Sequence, residues 1–143
     1  MSDFSFTSRD SFQRLSQEKI EDAILLLEHE RFSNAYYLAG YAIESGLKAA
    51  LCKKFLAECL PDRKLVQSAY THDLQTLIKL ANFSQELDQS TKLDPNLASN
   101  WSTVLQWSEA SRYEILDAFK VFEIIKAVSD PTHGVLQWLK QHW

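Results

Sequence analysis

Glycine and proline are scarce, three of each in 143 residues. Sandwiches and barrels need frequent turn residues, so an all-β fold is excluded and a mostly helical chain is expected. Cysteine is equally sparse: Cys52 and Cys59 stand seven residues apart. On one helix that spacing is roughly 10 Å, too far to bridge. No Cys-x-x-Cys pair or Cys/His cluster with zinc spacing occurs, which points to reduced thiols in a reducing compartment. Long apolar runs are missing too; Ala23–Leu27, five residues, is the longest kind present, far short of a membrane span. MSDFSFTSRD, at the start, lacks the basic-then-apolar pattern of a signal peptide, so a cytoplasmic protein without membrane contact is expected. Basic excess is also absent, with 15 Lys and Arg against 19 Asp and Glu. That balance disfavours a general nucleic-acid coat protein.

What is present suits one globular domain over residues 1–143, with 45% hydrophobic and 24% charged residues. Charge is uneven: residues 1–30 hold seven acids against three bases. Residues 48–64 reverse this, with Lys48, Lys53, Lys54, Arg63 and Lys64 against Glu58 and Asp62. Such a run is either a solvated helix end or a phosphate-binding patch.

Apolar periodicity predicts a first helix from about Ser8 to Glu30, opened by a Thr7/Asp10 capping box. Ser33 then caps a second helix, the most regular of all, running to about Glu58 with apolar or small residues at Ala35, Leu38, Ala39, Ala42, Ile43, Gly46, Leu47 and Ala50. A short third helix begins at Thr71 or His72, and the polar residues 82–94 read as a loop. Asp94-Pro95 opens a fourth helix by a cap followed by proline. A fifth spans about Ser111–Ser129, aligning Ile115, Phe119, Phe122 and Ile125. Asp130-Pro131 repeats the cap signal before a short last helix carrying Val135, Trp138, Leu139 and Trp143. The expected fold is all-α: an up-and-down bundle of four to five antiparallel helices over about residues 8–130, plus a short C-terminal helix over about 131–143.

No phosphate-binding glycine loop, HExxH pair or nucleophile elbow is found, and no metal or cofactor is expected. The carboxylates Asp10, Glu18 and Glu21 suit a solvated face. The informative feature is a polar stripe in the second helix. Tyr37, Tyr41, Glu44 and Lys48 follow at intervals of four, three and four, and Glu44 precedes Lys48 in the favourable ion-pair order. This stripe is either an exposed or interface edge with one salt bridge, or a groove. In a groove the tyrosines stack on a base or partner and Lys48 meets phosphate. His72 either belongs to a helix start capped by Thr71 or Asp73, or reaches into the same groove. Trp107–Glu114, WSEASRYE, places Arg112 and Tyr113 near a helix opening. There Arg112 is either a surface side chain beside a packed Trp107 or an anion-binding group.

NAYYLAGYAIESGLKAAL (Asn34–Leu51), THDLQTLIKLA (Thr71–Ala81) and WSEASRYE together resemble a bacterial HEPN domain, the higher-eukaryote and prokaryote nucleotide-binding family. The resemblance implies a helical bundle paired into a homodimer, with a minimal nucleotidyltransferase or an antitoxin as partner in toxin–antitoxin or defence modules. One branch of the family cleaves RNA without metal, through Arg followed after four to six residues by His. None of Arg9, Arg14, Arg31, Arg63 or Arg112 has His at that distance; Arg112 meets Asp117, Ala118 and Phe119 instead. The resemblance therefore lies with the branch lacking the motif.

The expected function is a non-catalytic module binding a nucleotide or a protein partner through Tyr37, Tyr41, Glu44, Lys48, His72, Arg112 and Tyr113. Two alternatives stand beside it. One is a divergent metal-independent ribonuclease in which Arg112 stabilises charge and His72 is the nearest base. The other is a purely structural homodimerisation module built on four tryptophans and the small-residue helix.

Overall fold

The computed structural model describes residues 8–143, and among these every regular element is helical. Helix α1, Arg9–Glu28, is capped by the Ser8 hydroxyl, which accepts the Ser11 N–H at 3.1 Å. Thr7 of the expected capping box lies outside the described residues. Glu30, at φ 59°, turns the chain in the left-handed region, and the Arg31 N–H closes back on the Leu26 carbonyl at 2.8 Å. Helix α2, Phe32–Leu51, then returns antiparallel along α1. Ser33 is not its cap: it sits inside the first turn and its hydroxyl donates to the Glu114 carbonyl at 2.8 Å.

Small residues bring these two helices together. Ala23, Ala35, Ala39 and Ala42 are fully buried, and the buried Ser16 hydroxyl donates to the Ala42 carbonyl at 2.6 Å. Ile43 and Leu47 point from α2 into the centre, each fully buried and each stabilising the fold by about 1.5–3 kcal/mol.

α2 stops seven residues earlier than its pattern suggests. A 3-10 turn, Cys52–Lys54, ends at the extended backbone of Phe55, so Cys52 and Cys59 do not share a helix; both are free thiols. Asp62 caps α3, Arg63–Ala69, through the Leu65 N–H at 2.9 Å. Helix α4, Leu74–Leu80, begins after Asp73, two or three residues later than expected. The stretch read as a loop contains helix α5, Ser84–Leu93, which buries only Leu87. Asp94 caps α6, Pro95–Leu105, as the Asp-Pro signal predicts.

The expected helix over 111–129 is divided. A 3-10 turn, Glu109–Tyr113, is followed by extended chain, and Asp117 caps a shorter α7, Ala118–Ser129. Its buried face is Val121, Ile124, Ile125 and Val128, whereas Ile115, Phe119 and Phe122 are exposed. Asp130 accepts from the Thr132 and His133 N–H groups, and α8, Val135–Lys140, starts only after Gly134. Helix α2 lies at the centre, against α1, α4, α7 and α8. No helix among the described residues is long and apolar enough to cross a membrane.

Candidate functional site

The polar stripe of α2 does not form a free edge. Glu44 is fully buried, Lys48 is largely covered, and Tyr37 and Tyr41 are half-buried. The reason is what packs over them: α4 and the Glu109–Tyr113 turn both lie on α2. A bare carboxylate at the Glu44 position would be prohibitively costly, so its neighbours decide whether it is tolerated. Both of its oxygens are engaged. The Lys48 ammonium approaches Oε2 at 3.1 Å, and the His72 ring nitrogen Nδ1 lies 2.9 Å from Oε1 and 3.1 Å from Oε2.

His72 reaches Glu44 because Leu74 and Leu77 anchor α4 in the core while Asp73 caps it through the Gln75 N–H at 3.2 Å. With the proton on Nδ1 directed at Glu44, Nε2 faces outward. It stands 3.6 Å from Glu109 Oε2, beyond hydrogen-bonding distance. Glu109 in turn pairs with Arg112 three residues on, at 3.3 Å, and the Arg112 guanidinium lies 4.9 Å from the centre of the exposed Tyr113 ring. Lys48, Glu44, His72, Glu109 and Arg112 thus form one run of polar contacts from the interior to the surface.

His72 and Glu109, in the middle of this run, border a groove of about 520 Å³ with Asp73, Gln75, Leu105 and Trp107, and Arg112 stands outside that lining, paired to Glu109. Trp107 is the buried wall. Its indole covers Gly40, where a Cβ would overlap the ring, and its centre is 6.2 Å from Tyr37, which is 5.7 Å from Tyr41. Burial first, then the proximity of Glu44, Tyr37 and Glu109, raises the Tyr41 phenol above its usual range, so it stays a neutral hydrogen-bonding group at pH 7.

Of the seven sequence-predicted residues, Lys48, Glu44, His72 and Arg112 fall in that run with Tyr113 under Arg112, while Tyr37 and Tyr41 stack beside Trp107. Lys48 departs from the expectation, since its ammonium serves Glu44 and the residue borders a different cleft. Arg112 also departs, sitting on a short 3-10 turn rather than at the opening of a long helix. Glu109 was missed; its spacing of three from Arg112 was the available signal, while its approach to His72 has no local trace. Gly40 has no signal of its own in the sequence, although it admits Trp107. Among the described residues no group of three or more His, Cys, Asp or Glu is arranged to hold a metal ion. Comparison with family models, curated proteins and solved structures finds no match for the chain.

Proposed function

We propose that the chain is a non-catalytic HEPN-type module that binds a nucleotide in the groove beside His72, Glu109 and Arg112. The observation that carries this reading is the run of polar contacts from buried Glu44 through His72 and Glu109, which border an open groove, to exposed Arg112 paired with Glu109. Arg112 supplies a planar fork suited to phosphate, and the exposed Tyr113 ring supplies a face for a base. Glu109 holds Arg112 until phosphate replaces it. Because Glu109 and Glu44 offset the two cations, binding is expected to be modest and to weaken as salt rises. Calorimetry with AMP and ATP tests this. Arg112→Ala should weaken binding about tenfold or more, by the scale of a charged hydrogen bond. Absence of heat with the unaltered protein, or equal affinity for the variant, overturns the proposal.

A ribonuclease reading draws support from one contact, that of His72 with Glu44. A buried carboxylate fixing Nδ1 leaves Nε2 oriented to accept a proton, and Arg112 lies beyond the shared Glu109 as a charge stabiliser. RNA cleavage abolished by both His72→Ala and Arg112→Ala would establish that reading in place of the first. The homodimer, with a nucleotidyltransferase or antitoxin as further partner, belongs to the same proposal. The exposed Ile115, Phe119 and Phe122 are apolar surface of the kind an interface covers. Light scattering at micromolar concentration should give twice the 16.5 kDa chain mass, and a single-chain mass removes the homodimer.

A further inference from the structure

A second cleft lies on the other side of the Glu44–Lys48 pair, and its chemistry differs from that of the groove. It holds about 480 Å³ between the start of α1, the end of α2 and α3, with walls of Phe12, Leu51, Phe55, Val66 and Tyr70. That volume falls within the range of small-molecule sites. The walls are apolar, and the cationic groups among its lining are Arg9 and Lys48. Arg9 is exposed and already donates from both Nε and Nη2 to the Trp143 carbonyl. Lys48 is not fully committed: an ammonium has three donors, and one hydrogen bond, to Glu44, is formed. Its side chain is 17% exposed and it borders the cleft. A covered ammonium with unused donors in an apolar wall is complementary to a single anionic oxygen group carried on a hydrocarbon body.

We propose that this cleft binds a free fatty acid, its chain along Phe12, Leu51 and Val66 and its carboxylate on Lys48. The inference is independent of nucleotide binding, because this cleft and the groove share no lining residue. Exposed Lys54, Arg63 and Lys64 next to the cleft-lining segments favour approach of an anion over a cation.

The test is calorimetry on the full chain with dodecanoate, hexanoate and 1-dodecanol, each below its aggregation limit. Dodecanoate should bind at least tenfold more tightly than either of the others, the first comparison reading the chain length and the second the carboxylate. Val66→Trp, which fills the cleft, should abolish binding while thermal melting shows a folded protein. Lys48→Met should lower dodecanoate affinity tenfold or more and leave 1-dodecanol unchanged. If that variant does not fold, the head-group comparison on the unaltered chain decides. No dodecanoate binding, equal binding of 1-dodecanol, or retention by folded Val66→Trp overturns the proposal. Arg112→Ala should leave dodecanoate binding intact, so this site and the nucleotide groove fail or survive separately.

Discussion

Two hydrogen-bonded carboxylate–imidazole pairs occur among the described residues, and they differ in nearly everything except their atoms. Glu44 meets His72 at 2.9 Å and Asp94 meets His133 at 2.7 Å. The Glu44 side chain is 1% exposed and shares its charge with Lys48, whereas that of Asp94 is 30% exposed and also accepts the N–H groups of Asn96 and Leu97 at the start of α6. The first pair fixes a ring against an open groove. The second fastens the opening of α6 to the turn before α8. Burial, not residue type, separates a positioned imidazole from a structural staple, because a buried carboxylate has no water to replace a lost partner.

The largest effect should come from removing the buried member. Glu44→Ala leaves Lys48 without a counter-charge, and breaking a buried pair costs about 3–5 kcal/mol. Partial access of water to Lys48 puts this case near the lower figure, about 3 kcal/mol by urea denaturation. A loss under about 1 kcal/mol would remove the claimed difference between the pairs. Next comes Gly40→Ala, which drives a methyl into the Trp107 indole and should cost about 1–3 kcal/mol by overpacking. Altered tryptophan fluorescence and reduced nucleotide affinity should accompany it. His72→Ala removes one of two partners from Glu44 and should cost only about 1 kcal/mol, since the imidazole is itself half-exposed. Nucleotide binding, however, should fall more than stability does; a parallel fall in both would make His72 merely structural.

The smallest effect belongs to the exposed pair and is best seen through pH. The hydrogen bond from His133, with the backbone N–H groups of Leu97 and Asn96, holds Asp94 below its ordinary value of 3.8. Asp130 is lowered likewise by the His133 and Thr132 backbone N–H groups. A depressed carboxyl stabilises the folded chain fully above the unfolded value, and that contribution disappears as pH falls through the lowered folded value. Asp94→Asn should therefore flatten the acid limb of a stability–pH curve below about pH 4 and leave nucleotide binding at neutral pH unchanged.

How much of this was legible in sequence depends on whether the signal was local. The Asp94-Pro95 cap and the apolar repeat of α2 are local, and both elements appear. Helix α5 buries a single residue, Leu87, so periodicity had nothing to register. Ile115, Phe119 and Phe122 show the opposite failure. Their apolar spacing is real, but Asp117 caps α7 after Ile115 and turns the other face inward. Within the site, the Glu44–Lys48 pair follows from its spacing of four. The contact of Glu44 with His72 joins residues 28 apart and depends on where α4 docks, which no local pattern encodes. That docking is also what converts an apparently free stripe into a buried anchor.

The tether between Glu44 and His72 can be read directly from the ring nitrogens of His72 by 15N NMR near neutral pH. The neutral ring should carry its proton on Nδ1 in the unaltered protein and lose that preference in Glu44→Gln. A proton on Nε2, or two equivalent averaged nitrogens in the unaltered protein, would contradict the account.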